Sequence, residues 1–165
     1  MKKSWGAPII SFEEFALLRP GLGKIVATSG GFDPIHPGHI SCIIESKKYG
    51  DTLVVIVNGD AFLTAKKGRP FQNLETRSLI VSGIIGVDYV IPFEIDNDQT
   101  VCQALEVLKP HVFTKGGDRT DRSKLPEAKV CDKHHIKMVF GVGEDKQWSS
   151  SWFLNSWDRH KAKKK

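Results

Sequence analysis

Two histidines that lie three residues apart, His36 and His39, are the side chains whose type and spacing point most directly to chemistry. At a helix start this spacing directs both imidazoles to the same side. The preceding Gly30 and Gly31 let the backbone approach an anion closely, and Pro37-Gly38 suits a first helical turn, where N–H groups bind phosphate. Such a pair can donate hydrogen bonds to phosphate oxygens as charge builds during phosphoryl transfer. Alternatively, one histidine caps the helix and the other is buried, without a ligand.

A second candidate phosphate site is a short basic segment. Lys66 and Lys67 precede Gly68-Arg69-Pro70, and a lysine in such a loop can act as a point charge on the β- and γ-phosphates of a nucleotide. An ordinary exposed loop would have the same composition, and which lysine makes the contact stays open. Arg77 lies near the start of the next predicted helix, where it could pair with Glu75 at the surface.

Two later segments have the same polar character. The run Lys115-Gly116-Gly117-Asp118 follows an apolar stretch, and its carboxylate could hold a ribose hydroxyl or steer a metal. Three successive serines at 149–151 precede a predicted helix and can present hydroxyl and N–H groups to an anion. A simple turn and a single helix cap are the alternatives. Trp148 could stack on a base or pack against the final helix.

These polar segments follow predicted strands. The unbroken β-branched run at 52–57 is typical of a parallel strand buried on both faces. Further strands are predicted over 24–30, 87–93, 111–115 and 136–140, and helices from Ile40 to Lys47 and over 74–85, 100–108 and 126–134. This alternation predicts a single α/β domain with a Rossmann-like, doubly wound, mostly parallel five-stranded sheet. Ligands bind such sheets beyond the carboxyl ends of the strands.

Composition excludes several protein classes. A chain of 165 residues with 40% hydrophobic and 26% charged side chains is neither fibrous nor wholly disordered. No apolar run reaches the roughly 20 residues of a membrane helix, and no apolar signal core follows the N-terminus. Three well-separated cysteines (Cys42, Cys102 and Cys131) indicate reduced thiols in a cytoplasmic protein, without a disulfide or zinc framework.

The net charge of +5 comes mainly from the C-terminus. Residues 159–165 hold five of the 24 basic side chains, and the remaining 19 equal the 19 acidic ones. The predicted organisation is therefore an N-terminal arm (1–23), a catalytic domain (24–158) and a basic tail (159–165). Because the body is not basic, we do not expect a nucleic-acid-binding surface.

The run from Gly31 to His39 resembles the signature loop of the cytidylyltransferase-like nucleotidyltransferases, whose mark is His-x-Gly-His. These enzymes join a nucleoside triphosphate to a phosphorylated small molecule and release pyrophosphate. The resemblance covers about residues 24–155 and implies a homodimer. For the reaction we expect a Mg²⁺ ion that bridges phosphate oxygens and takes most other ligands from water and substrate.

Finer features resemble the heptose 1-phosphate adenylyltransferases. The Lys-Gly-Gly-Asp at 115–118 looks like theirs, and Asn58-Gly59-Asp60 with the later Lys-Gly and Arg-Pro is similar to the sugar-phosphate members, although here Gly68 and Arg69 are adjacent. The serines at 149–151 resemble the family's triphosphate-binding Ser-Thr-Thr/Ser. Arg77 resembles a family arginine that contacts nucleotide or phosphate. The resemblance implies ATP and a sugar 1-phosphate as substrates. Alternatives are a CTP-dependent enzyme for glycerol 3-phosphate or phosphoethanolamine, an adenylyltransferase of flavin or pantetheine type, and a non-catalytic nucleotide- or RNA-binding relative.

The candidate site residues fall into two groups. Those expected to act on the reacting phosphates are His36, His39 and Lys67. Those expected to bind the nucleotide are Gly30, Gly31, Phe32, Asp33, Gly38, Lys66, Arg77, Lys115, Gly117, Asp118, Ser149, Ser150 and Ser151.

Overall fold

The computed structural model describes residues 5–95, 100–117 and 121–163. Its centre is a five-stranded, all-parallel sheet in the order β3-β2-β1-β4-β5. The strands are β1 (Ile25–Gly30), β2 (Thr52–Asn58), β3 (Tyr89–Phe93), β4 (Val112–Thr114) and β5 (Lys137–Val139). The helices are α1 (Phe12–Leu18), α2 (Pro37–Ser46), α3 (Asp60–Lys67), α4 (Leu74–Ser82), α5 (Cys102–Leu108), α6 (Glu127–Lys133) and α7 (Ser150–Ala162).

Helices cover both faces of the sheet, and β2 shows why its residues are apolar without interruption. Val54 and Ile56 belong to a core shared with α1, α5 and α6. Leu53 and Val55 belong to a second core, shared with α2 and α4. Because successive side chains of a strand point to opposite faces, a strand buried on both faces needs apolar residues at every position. The prediction of a Rossmann-like single domain is confirmed.

The strand order reverses next to β1. The chain passes from β1 to β2 and β3 on one side and then returns to β4 and β5 on the other. Between β1 and β4 the connections leave in opposite directions, which opens a crevice at the carboxyl ends of the two strands. The fold therefore provides a ligand-binding position beyond Gly30 and Thr114.

The structure differs from the sequence-based elements in one helix that bears on the site. No helix is predicted between Asn58 and Leu74, and the two lysines are predicted to lie in a loop, but Asp60–Lys67 forms α3. This helix has no side-chain cap from its own N-cap residue, Gly59. Instead, the carboxylate of Glu94 accepts hydrogen bonds from the N–H groups of Asp60 and Ala61, at 2.6 and 3.0 Å. A cap supplied from 34 residues away leaves no local signal.

The segments near both ends of the chain contain more regular secondary structure than the sequence pattern predicts. In the N-terminal arm, Ser11 and Glu14 form a capping box for α1, and the backbone of Ile10 hydrogen-bonds to Val90 of β3 at 2.9 Å. At the other end α7 runs to Ala162, so the segment predicted as a basic tail begins inside a helix. No helix in the described ranges is long and apolar enough to span a membrane.

Candidate active site

A cavity of about 520 Å³ lies at the carboxyl ends of β1, β2 and β4. It occupies the crevice that the strand order creates. The side chains around it are mainly small, polar or basic. Its lining comprises Ser29, Gly30, Gly31, His36, Gly38, His39, Cys42, Asn58, Phe62, Lys66, Thr100, Val101, Lys115, Gly116, Gly117, Glu127, Glu144, Lys146, Gln147, Trp148, Ser149, Ser150 and Ser151.

The two histidines stack against each other at the edge of this cavity. Their ring centroids are 3.6 Å apart and the ring planes are inclined by 20°. His36 is the N-cap of α2 in an extended conformation, Pro37 is the first helical residue, and His39 follows in the first turn. A Cβ atom at Gly38 would lie 3.2 Å from the His36 ring, so the glycine leaves that ring room. The expectation that both imidazoles project to the same side is confirmed.

One ring nitrogen of each imidazole lacks a hydrogen bond. Among the described residues, Nδ1 of His36 and Nδ1 of His39 are buried and have no hydrogen-bond partner. Burial, together with the positive charges of His36 and Lys66, lowers the pKa of His39 to about 3. Burial also lowers the pKa of His36. Both rings are therefore neutral without ligand, and a bound anion would raise their pKa values.

The lysine pair of α3 is divided between two tasks. Lys66 is exposed and lines the cavity, with its Nζ 5.9 Å from the ring centroid of Phe62. Lys67 is absent from the lining, and its Nζ lies 2.7 Å from Oδ2 of the buried Asp33. Neighbouring residues on a helix point about 100° apart, so the two ammonium groups face different surroundings. The geometry therefore offers Lys66, and not the expected Lys67, to a phosphate.

Asp33 does not face the cavity either. Its carboxylate accepts hydrogen bonds from the N–H groups of Phe71 and Gln72, each at 2.7 Å, besides the contact with Lys67. The side chain is completely buried. The carboxylate of Asp33 therefore fixes the loop between α3 and α4, and a nucleotide contact by this residue stays a prediction.

Arg77 has a structural environment of the same kind. Its guanidinium is fully buried and donates to the carbonyl oxygens of Gly31 (2.8 Å), Asn58 (2.6 Å) and Gln72 (2.9 Å). It also forms a 2.6 Å ion pair with Asp60. With its donors used in this way, Arg77 ties the ends of β1 and β2 to the α3–α4 loop. Neither the expected nucleotide contact nor a surface charge pair matches this geometry.

The remaining residues of the first loop support the histidines by packing. Phe32 is buried and lies edge-on to the His39 ring, with centroids 5.3 Å apart. A Cβ atom at Gly30 would come within 2.9 Å of the Phe32 ring, and one at Gly31 within 2.8 Å of Leu63. The glycines are thus needed for the packing of the loop as well as for exposing it to the cavity.

The serines stand at the start of α7, as predicted. Ser149 is the N-cap residue, but its side chain makes no capping hydrogen bond. Ser150 donates from Oγ to the carbonyl oxygen of Pro34 at 2.7 Å, which joins α7 to the histidine loop. All three serines line the cavity, so hydroxyl groups and N–H groups of a helix N-terminus face it. Trp148 also lines it while stacking in parallel on Phe153 at 6.0 Å.

The strand-end segment after β4 supplies a lysine and two glycines to the same cavity. Lys115 is buried, and its Nζ lies 4.8 Å from the ring centroid of Phe113 and 3.5 Å from Oε1 of Glu127. Gly117 lines the cavity with a left-handed φ of 67° and open space around its Cα. Asp118, the last residue of the predicted motif, lies outside the described residues.

Sequence reasoning missed two cavity residues of chemical interest. Glu127 approaches from α6, and Cys42 from α2, where burial raises the pKa of its thiol. Neither lies in a motif. The one available signal for Glu127 was its place in the predicted helix that follows the Lys-Gly-Gly-Asp segment.

The donor set bears on the expected Mg²⁺ ion. The described residues contain no group of three or more His, Cys, Asp or Glu side chains that could hold a metal by themselves. The lining instead carries lysines, imidazoles and serines, which suit phosphate oxygens. Such a set fits a Mg²⁺ ion that arrives on the polyphosphate and keeps several waters.

Comparisons with known proteins agree with this geometry. The family model described as cytidylyltransferase-like matches residues 27–148. The bifunctional protein HldE of Aliarcobacter butzleri is 37% identical over 146 residues, covering 85% of this chain and 30% of that protein. HldE of Hahella chejuensis is 44% identical over 97 residues, covering 58% of this chain and 20% of that protein. The matches therefore span less than a third of these relatives' lengths.

Solved structures share the fold. The lipopolysaccharide core biosynthesis protein of Thermoplasma volcanium superposes with a TM-score of 0.61 and 29% identity, over 74% of this chain and 99% of that one. The pantoate-beta-alanine ligase of Francisella tularensis gives a TM-score of 0.58 at 15% identity, over 87% and 69%, which is a likeness of fold alone. From the family match, the sheet order and the histidine loop together, we conclude that the chain belongs to the cytidylyltransferase-like family of nucleotidyltransferases.

Proposed function

We propose that this chain transfers AMP from ATP to a sugar 1-phosphate and releases pyrophosphate. The observation that carries the proposal is the stacked pair His36 and His39, whose buried Nδ1 atoms lack partners among the described residues. The similarity to HldE proteins and the Lys-Gly-Gly-Asp segment at 115–118 support ATP and a sugar phosphate over other substrates.

In the proposed reaction an oxygen of the sugar 1-phosphate attacks the α-phosphorus of ATP. A bond forms from that oxygen to the α-phosphorus, and the bond from the α-phosphorus to the oxygen bridging to the β-phosphate breaks. The products are an ADP-sugar and pyrophosphate. Because the attacking phosphate is already anionic at neutral pH, no side chain has to act as a nucleophile. Catalysis then depends on positioning and on stabilising charge.

The cavity residues have roles that follow from their chemistry. His36 and His39 donate hydrogen bonds to the phosphate oxygens on which negative charge grows. Lys66 and the N-terminus of α7, with Ser149–Ser151, face the leaving pyrophosphate. Lys115 provides a further positive charge in the cavity. When bound, Mg²⁺ would neutralise part of the polyphosphate charge.

A pyrophosphate-release screen tests the proposal. ATP, CTP, GTP and UTP are each combined with a panel of sugar 1-phosphates, glycerol 3-phosphate and phosphoethanolamine. We expect release with ATP and a sugar 1-phosphate, and none without an acceptor. Release with CTP and an alcohol phosphate would instead support a cytidylyltransferase. No release from any pair, combined with RNA binding that is lost on deleting residues 159–165, would support a non-catalytic relative.

A further inference from the structure

Glu127 is a buried acidic group that the proposed reaction does not use. It is the first residue of α6, is 5% exposed, and lines the cavity. Its Oε1 lies 3.5 Å from Nζ of Lys115, whereas Oε2 has no hydrogen-bond partner among the described residues. Because a buried acceptor without a partner destabilises the folded protein, this oxygen needs a donor that the described residues do not provide.

The surroundings of Glu127 restrict what that donor can be. The carboxylate already faces the ammonium group of Lys115. An additional ammonium group or metal ion on Oε2 would place a second positive charge beside this lysine in a buried position, where an excess charge is costly. A neutral donor has no such penalty. A hydroxyl group therefore matches both the acceptor and the local charge.

The position of Glu127 separates it from the phosphate-binding end of the cavity. α2, which carries the histidines, covers one face of the sheet, whereas α5 and α6 cover the other. On the α6 side the cavity is lined by Thr100 and the buried Val101 as well as Glu127. A polar acceptor beside a small apolar wall suits the ring of a sugar.

We infer that Oε2 of Glu127 accepts a hydrogen bond from a hydroxyl group of a bound substrate, and that this residue selects substrates with a polyol portion. The inference rests on the proposed function, because it concerns the same cavity. The hydroxyl belongs either to the sugar 1-phosphate or to the ribose of the nucleotide. Both present hydroxyl groups a few bonds from a phosphate.

The test measures affinities by calorimetry, so it does not require turnover. The variants are Glu127→Ala, Glu127→Gln and the control Asp132→Asn, which changes an exposed carboxylate on the same helix. The nucleotide probes are ATP, 2′-deoxy-ATP and 3′-deoxy-ATP. The acceptor probes are glucose 1-phosphate, mannose 1-phosphate and the hydroxyl-free methyl phosphate. Pyrophosphate reports on phosphate binding alone.

The nucleotide probes and the acceptor probes form two arms of the test. In one arm, we expect Glu127→Ala to lower the affinity for the hydroxyl-bearing probes by about tenfold to a hundredfold, which is typical of a hydrogen bond to a charged group. The hydroxyl-deficient probe of that arm and pyrophosphate should bind as they do to the unaltered protein. Glu127→Gln, which keeps one carbonyl oxygen and the side-chain size, should show a smaller loss of affinity. Its thermal midpoint should fall, because Lys115 loses its buried ion pair, so the affinities are measured well below that temperature. Loss in the sugar arm assigns the hydroxyl to the acceptor, and loss in the ATP arm assigns it to the ribose.

Two results would overturn the inference. One is unchanged affinity for every probe, which would mean that water satisfies Oε2. The other is an equal loss for pyrophosphate, which would mean that Glu127 acts only by orienting Lys115. Failure of the proposed function is a separate result, a blank pyrophosphate-release screen with these hydroxyl-dependent affinities intact.

Discussion

The histidine loop and the α3–α4 region lie side by side and are both rich in ionisable groups, yet these groups have opposite environments. In the loop, the buried Nδ1 atoms of His36 and His39 lack partners among the described residues. In the α3–α4 region (residues 60–82), Arg77 is fully buried but donates to three carbonyl oxygens and pairs with Asp60. The carboxylate of Asp33 comes from the histidine loop but is bound by this region, through two N–H groups and Lys67. Sequence motifs mark both regions as candidate nucleotide contacts.

This difference separates residues that bind a ligand from residues that build the site. A buried polar group with internal partners stabilises the fold and has no capacity left for a ligand. A buried polar group that faces a cavity without partners lowers stability unless something binds there. We therefore expect substitutions in the α3–α4 region to reduce stability, and substitutions in the histidine loop to reduce activity.

The largest effect is expected from Arg77→Met. The substitution leaves the carbonyl oxygens of Gly31, Asn58 and Gln72 without their donor and removes the partner of Asp60. Each buried acceptor left without its donor costs about 1–3 kcal/mol, so the loss of three such contacts should lower the free energy of unfolding in urea by at least about 3 kcal/mol. Arg122→Met, which removes an exposed arginine, should cause no measurable change. A stable Arg77→Met protein that has lost affinity for ATP would contradict this structural role.

His39→Ala should show the reverse behaviour. Removing a hydrogen-bond donor to the transition state lowers kcat by about 10²–10³, or roughly 2.7–4 kcal/mol. The thermal midpoint should fall much less than in Arg77→Met, because the ring loses only its packing against His36 and Phe32 and its Nδ1 has no partner among the described residues. His160→Ala, on the exposed C-terminal part of α7, is the matched control and should keep full activity. Unchanged kcat in His39→Ala would exclude the assigned role.

Substitution of the two lysines of α3 tests, within one helix, the distinction between a residue that binds a ligand and a residue that stabilises the site. Lys66→Ala should lower kcat/KM for the triphosphate by about tenfold to a hundredfold, as expected for a charge-assisted hydrogen bond, with unchanged stability. Lys67→Ala should instead lower the free energy of unfolding, because it leaves the buried carboxylate of Asp33 without its ion pair. Steady-state kinetics and urea unfolding of both variants separate the two roles. The opposite pattern would restore Lys67 as the phosphate ligand.

The smallest effect concerns pH. The pKa of His39 in the folded protein is about 3, below its value of about 6.5 in the unfolded chain. Between these values the unfolded state binds more protons, so stability is present above about pH 6.5 and is lost as pH falls. From pH 6.5 to 5 we expect the free energy of unfolding to fall by up to about 1.4 kcal/mol per pH unit from this group.

His39→Asn provides the control for the pH dependence, since asparagine does not titrate. Urea unfolding at intervals between pH 6.5 and 5 should give a shallower decline for the variant than for the unaltered protein. Saturating pyrophosphate should also reduce the decline, because a bound anion favours the imidazolium form. Identical slopes in both proteins would show that His39 titrates normally in the folded state.

The sequence predicted the sheet well because its signals are local. The apolar run of β2 requires a strand buried on both faces wherever it lies in the chain, and Pro37 and the serines at 149–151 mark helix starts by their own backbone chemistry. The histidine pair was identified for the same reason, since a spacing of three residues at a helix start fixes the relative direction of the two side chains.

The remaining features depend on contacts between distant parts of the chain. Lys67 is turned away from the cavity because it contacts Asp33, which lies 34 residues away in the sequence, and this leaves Lys66 to face the cavity. Arg77 is buried because carbonyl oxygens from β1, β2 and the α3–α4 loop converge on it. Glu127 reaches the cavity only through the packing of α6 against the sheet. None of these contacts leaves a motif.

A crystal structure with a non-hydrolysable ATP analogue tests the central claim most directly. The account predicts that the phosphate chain lies within hydrogen-bond distance of His36 and His39, with its terminal phosphates between Lys66 and the first turn of α7. A phosphate chain bound away from both imidazoles, for example along the basic C-terminal part of α7 at Arg159 and Lys163, would contradict it.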